Sequence, residues 1–514
     1  MNKIFRKTIF LLAVAIMGVW GCYDDKGNYD YIDLPEINID TTGLNIVDEK
    51  LAYQFEVLKL DPTINYPGDK GVLKYEWKLY PQKPQKPDNQ TNYDSVEILS
   101  TEPVFNEIIY DVPGNYYMTL AVHDTKYDVK TYWTCKVKVE SALSSGLCVL
   151  DEKEGINDIH LIKDKRLLPA LDADLQGVTY NIYTKVNTDR PLNNAQFLGF
   201  KSSIPRGGEN SFYVFEEDGG CSLMNTTYEV GTEYDNLFTV SFGLKYKPQF
   251  YAPLAKGPTD VLISDSVIYA IESYMMAPTT FSEILGDYTA APFVAEVNTT
   301  WNYAGIFFDV KHHRFMYLKP MDYKFAAGEF NTVTPGGVFN INNINKDLVW
   351  LEAGFNYITY GVFKDASAYQ LYVTDFTQES TTEDPTPAKA MAIYDMNNCP
   401  GVNESSLFAF GSLGNVCYYS AGDKLYQYRY ADASNKATPI DGFPVAGEEI
   451  TCMKILKKAN HVQNGKLLMV ATYKGGEGKV YLINFNELTG TLDIANMGEP
   501  YTGFGRIKDL QLKN

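Results

Sequence analysis

The residues best placed to undergo a defined reaction lie near the N-terminus, in Val19-Trp20-Gly21-Cys22-Tyr23-Asp24-Asp25. Lys3, Arg6 and Lys7 precede an apolar run from Ile9 to Trp20. That run is shorter than the roughly 20 apolar residues a membrane span requires. A basic start and a short apolar core make a secretory signal. A small residue directly before a cysteine is what a lipoprotein signal peptidase needs. Diacylglycerol is joined to the thiol as a thioether, the chain is cut before Cys22, and the new amine is acylated. Two or more acyl chains hold a protein firmly on a membrane. Residues 1–21 therefore read as a lipoprotein signal peptide. Residues 22–34 read as a tether, because they lack a helical period and run into Pro35.

Other chemistry-bearing residues are harder to assemble into a site. His312-His313 could offer imidazoles to a metal, but neighbours on a strand point to opposite faces and diverge in a turn. They read as turn residues. "DADLQG" (172–177) half resembles a calcium loop, yet Gln176 and Tyr183 stand where acidic ligands belong. No CxxC pair signals zinc. No HExxH occurs, and "FGSLG" around Ser412 has Phe410 in place of the first glycine of a nucleophile elbow. "GGEGKV" lacks both phosphate-loop spacing and a hydroxyl after Lys479. Glycoside hydrolysis needs two carboxyls about 5–9.5 Å apart, which spacing along a chain does not reveal. Glu216 and Glu217 are one such pair among many acids. No catalytic residue, metal ligand or cofactor is assigned. Aromatic rings are the remaining candidates: Trp301, Tyr303 and Trp350 could stack on sugars or anchor a peptide. Such rings also pack between strands.

Composition narrows the partners. The 514-residue chain has a formal charge of −19 and 45% hydrophobic residues. Loss of residues 1–21 removes three positive charges and no acids, leaving −22. Nucleic acid, which needs a basic face, is excluded as a partner. A neutral or cationic ligand is easier to accommodate. Cys135, Cys148, Cys417 and Cys452 sit in apolar strand-like runs and read as small buried hydrophobes, so no disulfide is expected.

The elements that would position any site are strands. Tyr is abundant (39 residues), long helical periods are missing, and short alternating runs are separated by Gly, Asp and Asn. Residues 35–140 form a first unit. In "YEWKLY", Tyr75, Trp77 and Leu79 share one strand face. In "GNYYMTLAVHD", Tyr116, Met118, Leu120 and Val122 do the same. The Pro-rich stretch 81–94 is a loop. Residues 141–146, "SALSSG", read as a linker. From 147 a hairpin pattern recurs, beginning at residues 147, 212, 260, 306, 361, 417 and 467. A four-stranded propeller blade takes roughly 40–50 residues. Radial stacking stabilises hairpins that would not stand alone. Residues 147–514 are therefore expected to form a seven-bladed β-propeller, two stacked sandwiches being the alternative. "GFGRIKDLQLKN" at the C-terminus has the pattern of the strand preceding each later hairpin, so 505–513 should complete the first blade.

The pattern G-x-Y-x-x-x-L-x-V-x-D from Gly114 to Asp124 resembles a polycystic-kidney-disease (PKD) domain, an immunoglobulin-like β-sandwich. With "CYDDKGNYDY" after the lipidation motif and a repeat region behind, the chain resembles the PKD-like family lipoproteins of Bacteroidota. The resemblance implies an all-β fold, an Ig-like sandwich followed by the propeller. Asp24 and Asp25 resemble the signal that exports such lipoproteins to the cell surface. It also implies an outer-membrane accessory protein of a Sus-type uptake system. Its partners would be a TonB-dependent transporter, its lid lipoprotein, and an oligosaccharide or peptide. Two other classes stay open: a surface glycoside hydrolase or lyase using carboxylates at the propeller mouth, and a structural subunit docked on the transporter.

Overall fold

A computed structural model describes residues 34–54, 56–82, 96–171, 173–202, 210–257, 259–272, 279–330, 337–366 and 368–513. Cys22, Asp24, Asp25, most of the 81–94 loop and Asp172 lie outside them. The chain divides into two compact units. One comprises the chain up to Lys50 with Val57–Ile109 and Gly114–Lys138; the other comprises Leu51–Glu56, Tyr110–Pro113 and Val139–Asn514. Among the described residues no helix is long and apolar enough to cross a membrane.

The first unit is built on alternation. Strand Gly114–Asp124 buries Tyr116, Met118, Leu120 and Val122. It pairs antiparallel with Leu73–Pro81, bringing Trp77 opposite Leu120 and Leu79 opposite Met118. Side chains of period two thus place one row of each strand inside. Trp77 is fully buried, donates from Nε1 to the Glu102 carbonyl at 2.9 Å, and lies 5.4 Å from the Phe105 ring. The unit's main sheet carries Gly114–Asp124 between Val129–Glu140 and Leu73–Pro81. Two-stranded pairs Asn38–Asp40 with Thr63–Asn65, and Val57–Leu60 with Phe105–Ile108, complete it. Asp124 is buried and closes the following turn by accepting from Lys126 N at 2.8 Å, Tyr127 N at 3.2 Å and the Tyr66 hydroxyl.

Among the described residues the second unit contains seven four-stranded antiparallel sheets. The two middle strands of each are the hairpins legible in the sequence. Examples are Gly146–Lys153 with Ile156–Lys163, Asp260–Ser264 with Val267–Ile271, and Leu467–Lys474 with Glu477–Asn484. Gly146, read as linker from sequence, already opens the first of these strands. Many of these strands are buried on both faces, as in Gly305–Asp309, because each sheet is sandwiched between two others. A core cluster lies between each neighbouring pair of sheets, and also between the last sheet and the first. An open row would lack that final interface. The unit is a closed seven-bladed propeller.

Closure is made as expected from the C-terminal pattern. Strand Arg506–Lys513 joins the first blade, pairing antiparallel with Gly146–Lys153 and setting Leu510 opposite Val149. The approach is tight. A Cβ on Gly505 would lie 2.2 Å from the Glu152 carbonyl oxygen, and one on Gly478 would lie 1.9 Å from that of Gly505. Only glycine allows backbones this close. The Gly505 amide donates to Asp151 Oδ2 at 2.5 Å. The short outer strands, such as Ser282–Glu283 and Gly328–Glu329, carry too few residues to show a pattern.

Candidate ligand-binding site

The first strand of each blade is its innermost. These are Arg506–Lys513, Ala195–Lys201, Pro248–Pro253, Ala295–Glu296, Asp347–Ala353, Phe408–Phe410 and Glu449–Ile455, which neighbour one another around the ring. Their C-terminal ends and the loops that follow converge on one cavity of about 770 Å³. Every blade contributes: Leu512, Lys201, Pro253, Glu296, Ala353, Leu413 and Lys454 stand for the seven in turn. Small-molecule sites typically span about 300–1,000 Å³.

The charged groups here are mostly lysines. Lys201, Lys454, Lys457 and Lys458 line the cavity, with Glu296 as the acid among the lining residues. The lysines are held from behind. Lys454 Nζ lies 2.6 Å from Asp509 Oδ1, while Asp509 Oδ2 accepts from the Leu198 amide at 2.9 Å. Burial would lower the Lys454 pKa, but the charge and hydrogen bond of Asp509, together with Cys452 and Glu352, outweigh it and move it up. Lys457 Nζ donates to Glu352 Oε1 at 2.5 Å and to the Ala353 carbonyl at 2.6 Å. The second Glu352 oxygen accepts from the Phe410 amide at 3.1 Å and from Trp350 Nε1 at 3.3 Å. Lys201 donates to the Leu254 carbonyl, and burial moves its pKa down. Glu296 accepts from the Ala255 amide at 2.8 Å, and burial moves its carboxyl up. Uncharged polar side chains, including Asn298, Thr299, Asn356, Asn464 and Gln511, complete the wall.

The aromatic candidates separate. Trp301 is 64% exposed, two residues from Thr299 of the cavity wall, with Lys256 Nζ 4.8 Å from its ring centroid. Lys256 also donates to the Thr300 carbonyl at 2.6 Å. Tyr303 is corrected. It is 1% exposed, packs against Tyr317 at 4.6 Å and Phe330 at 5.4 Å, and donates its hydroxyl to the Pro387 carbonyl at 3.1 Å. It is core between blades, closed off from solvent. Trp350 is half-buried on an innermost strand, between Phe293 at 5.3 Å and Phe408 at 6.1 Å.

The other candidates are structural. Asp309, fully buried, accepts from His312 Nδ1 at 2.6 Å, Arg314 Nε at 3.1 Å, and the Thr289 and Lys311 amides at 3.0 Å each. Burial alone would raise its pKa, yet these donors together take it below the ordinary range. His312 is thus a turn clamp, and His313 adopts positive φ in the same turn. Glu216 is buried against Arg190 at 2.8 Å, and Glu217 accepts from Asn194 Nδ2 at 2.7 Å. Lys479 pairs with Glu448 at 2.8 Å. Among the described residues no group of His, Cys, Asp and Glu could hold a metal. The six described cysteines are free thiols; Cys148, Cys417 and Cys452 are buried, whereas Cys135 is only half-buried.

Whole-chain charge pointed away from this lysine-lined mouth, and no linear motif joins residues 201, 454, 457 and 458. The usable signal was positional: each stands at or just past the end of a strand preceding a hairpin.

The model of a PKD-like family matches residues 22–192, which takes in the sandwich and three of the first blade's four strands. No curated protein matches the sequence. Among solved structures, a quinoprotein alcohol dehydrogenase-like protein from Bacteroides thetaiotaomicron is similar at 12% identity. That alignment covers 94% of this chain and 100% of that one, with a TM-score of 0.41. A DUF4784 family protein from Bacteroides caccae is similar at 9% identity, covering 90% of this chain and 97% of that one, with a TM-score of 0.26.

Proposed function

We propose that this chain is a lipid-anchored protein of the outer-membrane surface that holds an oligomeric ligand in the propeller mouth without transforming it. In this reading it is an accessory of a Sus-type glycan or peptide uptake system. The observation that carries the binding reading is the convergence of seven blades on one cavity in which Glu296 is the one carboxylate among the described lining residues. Hydrolysis of a glycosidic bond uses two carboxyls across the scissile bond. The nearby acids Glu352 and Asp509 are occupied by lysines and backbone amides. The anchor rests on Cys22, and the PKD-like match begins at that residue.

Three measurements test the proposal. Cells fed an alkyne fatty acid should label the protein, and Cys22→Ala should abolish the label. Protease added to intact cells should degrade it. Incubation of the purified protein with oligosaccharide and peptide panels should give binding by calorimetry and unchanged masses. Turnover that disappears in Glu296→Gln would replace this reading with the hydrolase or lyase.

A further inference from the structure

Resting on that binding reading, we infer that the propeller mouth selects an acidic oligosaccharide, its carboxylates meeting the lysines of the cavity wall and a sugar face meeting Trp301. In a chain of formal charge −19, an even scatter would give this cavity an excess of acids. Its lining instead holds Lys201, Lys454, Lys457 and Lys458 against Glu296. Adding the flanking Lys256 and the acids Glu352 and Asp509 still leaves lysines in the majority.

Orientation strengthens the case. Glu352 and Asp509 are not part of the cavity lining, and each spends its second oxygen on a backbone amide. They fix the ammonium groups in place without reaching the lumen. An ammonium has three donors. Lys454 uses one on Asp509, and Lys457 uses two on Glu352 and Ala353, so each keeps a donor for a ligand. Pre-positioned cations lose little side-chain entropy when a carboxylate arrives. A charge-assisted bond in a cavity is stronger than one in open water.

The wall decides between a saccharide and a peptide. Asn298, Thr299, Asn356, Asn464 and Gln511 offer amides and hydroxyls suited to sugar hydroxyls. Trp301, two residues along the chain from Thr299, supplies an exposed flat ring, with Lys256 poised over it. A cavity of about 770 Å³ holds a few sugar rings rather than a polymer.

The test is calorimetry on the full chain with trigalacturonic acid, its carboxyl-reduced counterpart trigalactose, and triglutamate. Trigalacturonic acid should bind at least roughly tenfold more tightly than trigalactose, as expected for buried charge-assisted bonds. Its affinity should fall as salt is raised, through screening. Lys457→Gln should weaken it by roughly tenfold. Trp301→Ala should weaken the acidic and reduced probes alike. Should Lys457→Gln fail to fold, the salt dependence and the probe comparison on the native chain still decide. Equal binding of the two saccharides, or insensitivity to salt, overturns the acidic class yet leaves the binding reading standing. Tighter binding of triglutamate overturns the saccharide. Failure of trigalacturonic acid to bind overturns the inference, and failure of every oligosaccharide and peptide overturns the binding reading with it.

Discussion

Removing residues 505–514 should open the ring. Strand Arg506–Lys513 places Ile507 and Leu510 at 1% and 0% exposure within the interface between the last and first blades. Burying one such side chain contributes about 1.5–3 kcal/mol. The deletion also removes Asp509, leaving the Leu198 amide without its acceptor and Lys454 without its counter-charge. An unsatisfied buried donor costs about 1–3 kcal/mol. Together these come to about 4–9 kcal/mol, against a typical domain stability of about 5–15 kcal/mol. Differential scanning calorimetry on full-length and truncated chains should show a fall in melting temperature of at least about 5 °C. A synthetic peptide of residues 505–514 added in trans should recover part of it, because the edge it leaves is a ready template for strand pairing. A truncated chain melting within about 1 °C of the full chain would refute closure by this strand. Gly505→Ala is the smaller perturbation. Its new Cβ meets the Glu152 carbonyl, so a destabilisation of about 1–3 kcal/mol is expected in the same assay.

Tyr303→Ala should cost about 3–5 kcal/mol by urea unfolding. Trp301→Ala should stay within about 0.5 kcal/mol, since an exposed ring leaves no cavity. Trp77→Ala should lower the sandwich's stability by about 3–5 kcal/mol, read as faster amide exchange along Gly114–Asp124. Asp309→Asn should cost about 2–3 kcal/mol through loss of charge-assisted bonds to His312 and Arg314. The folded carboxyl of Asp309 lies below its unfolded value of about 3.9. Its contribution is therefore full above that value and is lost as pH falls through the folded one. Urea melts from pH 5 down to pH 2 should show a shallower decline for Asp309→Asn than for the native chain.

What the sequence disclosed follows from how far each feature's cause extends along the chain. Alternation in "GNYYMTLAVHD" is set by pleating within one strand, so its buried row could be read directly. The hairpins were legible because both strands and the turn are contiguous, and the closing strand because it repeats the pattern before "LLMVATYK". The fates of Trp301 and Tyr303 were not legible. They are two residues apart, yet one stays in a loop while the other enters a cluster completed by Phe330 and Phe376. His312 read from the sequence as a turn residue, but the buried Asp309 that holds it in that turn could not be read from it.

Charge failed as a guide for the same reason. A total of −19 is a sum over the chain, whereas a ligand responds to the few groups within a Debye length of about 8–10 Å. Radial architecture gathers the ends of seven inner strands into one cavity. Residues separated by more than 250 positions, such as Lys201 and Lys457, therefore act as neighbours there. Meanwhile acids such as Glu216, Asp309 and Glu448 are drawn into ion pairs with Arg190, Arg314 and Lys479 outside the cavity lining. A chain of net acidic charge can thus carry a lysine-lined mouth, and only closure of the ring brings that mouth into being.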